Sequence, residues 1–323
     1  MDRPDTVRTY LNFEKPIAEL ENKISELKLV IDENTEESLN SEIGKLEAKA
    51  AATLKETYAH LTPWQKTEVA RHPQRPHAMD FINSFVEDFT PLAGDRLYAN
   101  DQAIVGGLGT FEGQSVMVIG HEKGSDTEGR IKHNFGMAMP EGYRKAVRLM
   151  EMAEKFSLPI ITLIDTAGAY PGIGAEERGQ AEAIARSTDC CLKLKVPIVA
   201  VIIGEGGSGG AVAIATANKI MMLEHAIYSV ISPEGAASII WRDANKKEEA
   251  ATAMKITAQD LEGLEIIDTI IPEPVGGAHR DKRQVIEATR IAISQALDEL
   301  KDKKPEELRK MRHDRFLEMG RTL

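Results

Sequence analysis

Residues 204–210 read Gly-Glu-Gly-Gly-Ser-Gly-Gly and follow an apolar run that predicts a buried strand. Glycines at such a junction let the chain turn tightly and bring its backbone close to a ligand. The first N–H groups of a following helix have no acceptor within the helix, and the helix dipole favours negative charge beside them. Such amides bind anions or developing oxyanions, and one donor contributes about 2.7–4 kcal/mol of transition-state stabilisation. The stretch therefore predicts catalysis by backbone donors.

The same glycines also match a dinucleotide-binding pattern. Gly204, Gly206 and Gly209 form G-x-G-x-x-G between a predicted strand and a predicted helix, and Glu224 stands 20 residues after Gly204. In a dinucleotide site the pyrophosphate meets the helix N-terminus and the acid binds the ribose. An NAD-dependent enzyme is thus an alternative, although such a fingerprint normally opens its domain and this one lies two-thirds along the chain.

A serine hydrolase is the second alternative. Gly206, Ser208 and Gly210 form G-x-S-x-G, with Ser208 as the nucleophile, and Asp268 and His279 follow in the chain order of a hydrolase triad. The hydrolase interpretation requires His279 to lie near Ser208 in space. Spacing alone does not separate the three interpretations.

The elements that must position this stretch alternate between strands and helices. Apolar runs at 159–164 and 197–203 predict buried strands, each leading through a glycine-rich segment into a helix, 175–193 and 211–217. Ligands of such sheets lie at the carboxyl ends of the strands, so both glycine-rich segments should face one side. Further elements are predicted at 103–110 and 114–121 (a hairpin), 141–156 (a helix), and 219–223, 227–231 and 266–271 (strands).

Helices are predicted at both ends of the chain. Apolar residues at three- and four-residue steps, from Ile17 to Ile31 and again from Leu39 to Leu54, predict a helical hairpin over 14–60 with a polar break at 32–38. Residues 71–77, rich in Pro, His and Arg, predict a link into the main domain. Charged amphipathic helices are predicted at 281–300 and 304–318. The expected division is an N-terminal helical segment (1–75), a main domain (76–300) and a C-terminal helix (301–323).

Composition narrows the classes of function. The 323 residues carry a net charge of −11, which disfavours broad binding to nucleic acid or to anionic membranes. Cys190 and Cys191 are adjacent and have no metal-ligand spacing, so we expect two reduced thiols and no metal site. No signal peptide and no membrane-spanning run are evident, which predicts a cytoplasmic protein.

Several motifs read together resemble one family, the alpha subunits of the carboxyltransferase of bacterial multisubunit acetyl-CoA carboxylase. The similarity runs from about residue 10 to about residue 279. The segments that carry it are Pro140-Glu141-Gly142-Tyr143-Arg144-Lys145-Ala146, residues 165–172, Gly174-Ala175-Glu176-Glu177-Arg178-Gly179-Gln180, residues 204–210, and Ser232-Pro233-Glu234-Gly235.

The sequence departs from the family pattern at two positions. Ala167 stands where the family often has Pro, and Ala236 stands where it often has Cys. Both flank loops, so they affect loop geometry rather than the assignment. The four-Cys zinc ribbon of the related beta subunit is absent from this sequence. The resemblance therefore implies an alpha subunit that works with a separate beta partner.

The resemblance implies an α/β fold of the crotonase-like type, built from ββα superhelical repeats. It implies transfer of a carboxyl group from carboxybiotin, carried on the biotin carboxyl carrier protein, to acetyl-CoA, giving malonyl-CoA in the first committed step of fatty acid biosynthesis. The implied assembly is α2β2, and a separate biotin carboxylase subunit uses the ATP. Donors for the acetyl-CoA oxygen would come mainly from the beta subunit.

The resemblance also assigns roles to particular residues. The backbone N–H groups of Gly209 and Gly210 match the glycine pair that forms the oxyanion hole for biotin. Residues expected to shape the turn or line the substrate site are Gly206, Gly207, Gly168, Ala169 and Tyr170. Four cationic residues could meet CoA phosphates or the carboxylate of carboxybiotin, although solvated surface is the expectation we prefer for them: Arg130, Lys132, His133 and Arg144.

Overall fold

The computed structural model describes residues 8–29 and 36–321, with side chains from residue 39 onward in the second range. Its helices are α1 Lys15–Leu29, α2 Glu36–Ala59, α3 Pro63–Ala70, α4 Ala78–Phe85, α5 Thr127–Lys132, α6 Pro140–Lys155, α7 Ile173–Glu177, α8 Gln180–Lys193, α9 Ser208–Ala215, α10 Pro233–Ile240, α11 Lys247–Ala253, α12 Ala258–Gly263, α13 Lys282–Leu300 and α14 Pro305–Glu318. Its strands are β1 Glu87–Pro91, β2 Ile104–Phe111, β3 Gln114–His121, β4 Ile160–Thr166, β5 Ile198–Gly207, β6 Lys219–Leu223, β7 Ile227–Ser229 and β8 Thr269–Ile271.

One mixed sheet with the order β1-β2-β3-β4-β5-β6-β8 forms the centre of the molecule. β1, β2 and β3 are antiparallel neighbours, and the sheet is parallel from β3 through β4, β5 and β6 to β8. β4 and β5 are buried along their whole lengths, as expected for strands covered on both faces. The α/β class predicted from the sequence is confirmed, as is the hairpin of β2 and β3.

β5 pairs with two different strands along the same edge. Residues Val199 to Ile202 pair with β6, whereas Glu205 to Gly207 pair with β7. The expected loop at 204–210 is therefore wrong in part, because its first four residues extend β5. Glycine permits this extension, since a Cβ on Gly206 would lie 3.0 Å from the Tyr228 ring of β7.

The N-terminal hairpin is confirmed by α1 and α2, which pack through a small apolar cluster that includes Ile24, Ile43 and Ala50. The predicted Ile31 and most of the polar break lie outside the described residues. Ion pairs join the hairpin to the main domain, since Arg280 contacts Glu14 at 3.4 Å and Glu21 at 2.6 Å.

Residues 71–77 are more than a link, because they pack against the sheet. The Arg75 side chain is buried, pairs with Glu273 at 2.7 Å and donates to the carbonyl of Ile203 in β5. These contacts cross the expected boundary at residue 75, and the three-part division itself stays a prediction. The two C-terminal helices are confirmed as α13 and α14.

The single helix expected at 175–193 is wrong, because the chain forms α7 and then α8 with a turn between them. Gly179 occupies the left-handed region at φ 80°, which ends the first helix and starts the second. The turn brings Gln180 into the core at the N-terminus of α8, where only 4% of it is exposed. None of the helices within 8–29 and 36–321 combines the length and apolar character needed to cross a bilayer.

Candidate functional site

The glycine-rich stretch ends in an abrupt turn at Ser208. β5 continues to Gly207, and Ser208, the first residue of α9, adopts φ 50°. The side chain of Ser208 is exposed, Gly209 is half-buried and Gly210 is buried. The turn thus places the first amides of α9 where a helix N-terminus meets the carboxyl end of a strand.

Glycine is required where this turn touches the segment after β4. A Cβ on Gly207 would overlap the carbonyl of Ala167, and one on Gly210 would lie 2.8 Å from the carbonyl carbon of Gly168. A Cβ on Gly209 would meet only the Ile184 side chain, at 3.2 Å. The structure therefore brings the two glycine-rich segments together, as predicted, and much of the glycine content serves their mutual contact.

Residues 166–170 form a tightly held loop. The Thr166 hydroxyl donates to the carbonyl of Gly168 at 2.8 Å and accepts from its N–H at 3.1 Å. The N–H of Tyr170 donates to the carbonyl of Ala138, and the Gln180 side-chain amide donates to the carbonyls of Ala138 and Tyr170 at 2.9 Å each. Sequence reasoning missed Gln180 as the residue that fixes this loop.

Three backbone donors near the turn have no acceptor among the described residues, and we call them open in that sense. Within the described part of the chain, the amides of Ala169, Gly209 and Gly210 make no hydrogen bond outside α9. The Gly168 amide is occupied by Thr166, so Gly168 shapes the loop and does not offer a donor. The predicted site residues thus lie close together, and the roles assigned to them stay predictions.

An apolar cleft opens beside Ser208 and has a volume of about 460 Å³. Val212, Tyr228, Val230 and Ile256 are among its lining residues. A polar cavity of about 240 Å³ lies at the carboxyl ends of β4 and β5, where Asp165, Ala167 and Glu205 contribute to its wall. Open space thus borders the glycine-rich turn.

Sequence reasoning also missed a buried ionic network at these strand ends. Lys123 lies 2.6 Å from Asp165 and 3.7 Å from Glu205, and the amide of Glu205 donates to Asp165 at 2.9 Å. Burial opposes ionisation of Asp165, but the charge of Lys123 and the hydrogen bond from the Glu205 amide outweigh it and hold the pKa of Asp165 below its usual range. Acids that end two neighbouring buried strands are the signal that could have revealed the network.

The hydrolase interpretation is overturned by the surroundings of its proposed partners. Asp268 pairs with Arg315 at 2.7 Å and accepts from the amide of Ile220. His279 stacks on His72, with ring centroids 3.7 Å apart. Asp268 is thus occupied by structural partners, His279 packs against His72, and neither residue bonds to Ser208.

The dinucleotide interpretation also finds no support. The Glu224 carboxylate accepts from the amide of Glu273 at 3.1 Å, which gives it a structural role. Gly204 does not line an open loop, since it lies within β5 and a Cβ there would meet the Asp165 carboxylate at 2.5 Å. The backbone-donor interpretation is the one that fits the geometry.

The predicted surface cations fall into different environments. Arg144 is largely buried and pairs with Asp95 at 2.8 Å and with Glu141 at 3.5 Å, so the expectation of a solvated side chain is wrong. Lys132 is exposed, whereas Arg130 is half-buried and lines the polar cavity. His133 contacts the carbonyl of Gln102 at 2.6 Å.

Solved structures share this fold at low sequence identity. Transcarboxylase 12S matches with a TM-score of 0.59 and 21% identity, over 71% of this chain and 42% of the other. The beta subunit of geranyl-CoA carboxylase from P. aeruginosa matches with a TM-score of 0.55 and 15% identity, over 77% of this chain and 46% of the other. This chain spans less than half of each of these proteins. The comparisons confirm the crotonase-like fold.

Sequence comparisons cover the chain almost completely. A family model described as acetyl co-enzyme A carboxylase carboxyltransferase-like matches residues 10–320. The acetyl-coenzyme A carboxylase carboxyl transferase subunit alpha of Parvibaculum lavamentivorans is 63% identical over 315 residues, which are 98% of this chain and 99% of that protein. The subunit of the same name from Afipia carboxidovorans is 62% identical over 319 residues, 99% of each chain. The chain therefore belongs to the family of acetyl-coenzyme A carboxylase carboxyl transferase alpha subunits.

Proposed function

We propose that this chain binds carboxybiotin and, together with a beta subunit, transfers its carboxyl group to acetyl-CoA to give malonyl-CoA. The observation that carries the proposal is the set of open amides at Ala169, Gly209 and Gly210, held where two glycine-rich segments touch. Full-length relatives named as carboxyl transferase alpha subunits support the reaction. In this account the chain contributes to fatty acid biosynthesis in the cytoplasm.

The residues present fit the ureido end of biotin. Backbone amides donate to a carbonyl oxygen without bringing a full charge, and the apolar cleft beside Ser208 offers Val212, Tyr228 and Ile256 to a fused ring system. Gly206 and Gly207 leave room for the Tyr228 ring and for the backbone of Ala167, which lets the turn pack closely beside the cleft. When bound, carboxybiotin supplies the carboxyl group for transfer.

The half-buried amide of Gly209 would donate to the ureido oxygen of bound biotin, and the dipole of α9 would favour negative charge on that oxygen. Gly210 supplies the second amide, which its contact with Gly168 fixes in position. Thr166 and Gln180 hold the loop that carries Ala169, so the donors need little reorganisation during the reaction. The chain's own groups thus act by preorganised hydrogen bonding, and no side-chain base is assigned.

The proposed partners are a zinc-ribbon beta subunit in an α2β2 assembly, the biotin carboxyl carrier protein and a biotin carboxylase. Large apolar side chains exposed on several elements support a protein partner, since a partner surface would remove them from water. Ile173 precedes α8, Val230 lines the apolar cleft, and Ile239 and Ile240 end α10, with exposed fractions between 64% and 80%. The donors for acetyl-CoA would come mainly from the beta subunit.

The test is the reverse reaction, malonyl-CoA-dependent carboxylation of biotin, with the chain reconstituted with a beta subunit. Gly209→Val should lower turnover by about a hundredfold or more, because a branched side chain there would press on Ile184, which already lies 3.2 Å from a Cβ, and would shift the first turn of α9 that carries the amide. Gly263→Val is the control, since a Cβ at Gly263 meets nothing within 4 Å. Wild-type turnover in a folded Gly209→Val protein would refute the assignment of the donors.

A further inference from the structure

The polar cavity contains a cation without a partner. Arg71 and Lys123 are committed to the carboxylates of Glu205 and Asp165, at 2.7 Å and 2.6 Å. The guanidinium of Arg130 also lines the cavity, yet none of the described side chains forms an ion pair or a hydrogen bond with it. A half-buried guanidinium keeps its charge, so an anionic partner would stabilise it there.

Local packing fixes the helix that carries Arg130. Gly124 has φ 81°, and a Cβ there would overlap the backbone of Gly129 and Arg130. Asp126 caps α5 by accepting from the amide of Gly129 at 2.7 Å. The close approach at Gly124 therefore holds the short helix against the cavity, and Arg130 is positioned by the backbone.

His77 provides a second, independent observation. The residue lines the same cavity and is only 7% exposed, yet neither ring nitrogen has a hydrogen-bond partner among the residues that the structure describes. The nearest acid, Asp165, lies 3.9 Å from Nδ1, which is too far for a hydrogen bond. A buried ring nitrogen without a partner is costly, and a ligand in the cavity would remove that cost.

Charge and size indicate the class of ligand. Glu234 also pairs with Arg71 at 2.7 Å, so Arg71, Lys123 and Arg130 are matched in number by Asp165, Glu205 and Glu234. Three nearby carboxylates would repel a dianion such as phosphate, whereas a singly charged anion can pair with Arg130 alone. The volume of about 240 Å³ exceeds that of several waters at roughly 30 Å³ each, so a small carboxylate fits.

We infer that this cavity is a binding site for a singly charged carbon oxyanion, a carboxylate or bicarbonate, with Arg130 as its ion partner and His77 as a hydrogen-bond donor. Guanidinium groups match carboxylates geometrically through two parallel N–H bonds. Ala167 connects the cavity to the loop that carries Ala169. The identity of the natural occupant, the carboxyl group in transfer, rests on the proposed function. The binding of a carbon oxyanion in this cavity does not depend on that function.

The test uses the full chain with 13C-labelled histidine and follows the imidazole NMR signal of His77, assigned with His77→Gln, at constant pH. Sodium bicarbonate and sodium acetate are titrated separately, against sodium chloride at equal ionic strength. Both carbon oxyanions should shift the signal saturably, and chloride should not. Arg130→Gln should weaken binding at least about tenfold, and Arg130→Lys should restore part of it. Lys132→Gln, exposed on the same helix, is the control and should bind as the wild type does.

Equal shifts with chloride, or unchanged affinity in Arg130→Gln, would overturn the inference. Tighter binding of inorganic phosphate than of either carbon oxyanion would overturn the assigned ligand class. The measurement needs neither biotin nor turnover. If the anion does not bind but Gly209→Val is inactive, the proposed function stands and the anion site is refuted. If the anion binds but Gly209→Val keeps wild-type turnover, the anion site stands and the assignment of the donors is refuted.

Discussion

The α-carbon of Gly210 faces the carbonyl carbon of Gly168 so closely that a Cβ on Gly210 would lie 2.8 Å from it. The same Cβ would lie 2.9 Å from the amide nitrogen of Ala169. Backbone atoms on a held loop cannot move aside as the end of a flexible side chain can. This contact therefore sets the distance between the two segments that carry the open amides.

Gly210→Ala should damage both stability and activity. We expect a loss of about 1–3 kcal/mol in the free energy of unfolding, because the added methyl group overpacks a backbone contact. Turnover in the reconstituted reverse reaction should fall more than in Gly209→Ala, whose methyl group would meet only the flexible Ile184 side chain. Urea unfolding and steady-state kinetics would measure the two effects. Equal behaviour of the two variants would contradict the role given to the contact with Gly168.

Gln180→Met should act through loop position. The substitution keeps a similar volume but removes the donors to the carbonyls of Ala138 and Tyr170, leaving buried acceptors at a cost of about 1–3 kcal/mol. We expect the KM for biotin to rise more than kcat falls, because the wall that carries Tyr170 becomes less ordered. Gln180→Glu, which can keep an oxygen but loses the amide donors, should not restore the KM. A variant with reduced stability and a normal KM would show that Gln180 supports the fold alone.

The stacked pair His72 and His279 should make stability depend on pH. Burial lowers the pKa of both histidines from the ordinary value of 6.5, and for His279 the neighbouring His72, Arg75 and Arg280 help to lower the pKa to about 2. As the pH falls below 6.5, the two histidines of the unfolded chain therefore bind protons while the same two rings in the folded chain stay neutral. Stability from the pair is complete above pH 6.5 and decreases as the pH falls from 6.5 toward 2, by about 1.4 kcal/mol per pH unit for each fully shifted histidine.

Urea unfolding of the full chain between pH 7.5 and pH 5 would measure this dependence. His279→Phe should reduce the slope of unfolding free energy against pH, because it removes one of the two titrating groups and keeps a stacked ring. His60→Phe, at an exposed position, is the control and should keep the wild-type slope. An unchanged slope in His279→Phe would contradict the assignment of the pH dependence to this pair.

Arg75→Met should be among the most destabilising single changes. It leaves the Glu273 carboxylate buried without its ion partner and removes a donor from the carbonyl of Ile203. We expect a loss of about 3–5 kcal/mol in unfolding free energy. Arg290→Met, which breaks solvent-exposed pairs with Glu287 and Glu112, should lower the unfolding free energy far less than Arg75→Met does. Comparable losses in the two variants would show that burial does not control the strength of the Arg75 pair.

Much of the fold followed from local patterns. Apolar runs located β4 and β5, three- and four-residue spacing located α1, α2, α6 and α13, and a short turn located the hairpin of β2 and β3. The break at Gly179 and the extension of β5 to Gly207 did not follow. The break depends on one left-handed glycine, Gly179, inside a sequence pattern that suits a continuous helix. The extension of β5 depends on pairing with β7, and no pattern in the neighbouring residues indicates that pairing.

Part of the candidate site also followed from local sequence patterns, and the rest depended on the tertiary structure. Residue types and their order indicated the two glycine-rich segments at 165–172 and 204–210 as candidates for substrate contact, because glycine content and a following helix are local properties. Which amides are open, and which glycines serve contact between the segments, depended on how the two segments meet in space. Four separate parts of the chain contribute the polar groups around the cavity, which are Arg71, His77, Lys123, Asp165 and Glu205. These groups interact only because folding brings them within a few ångströms of one another. Electrostatic interaction depends on separation and burial, and neither quantity is encoded in the order of residues along the chain.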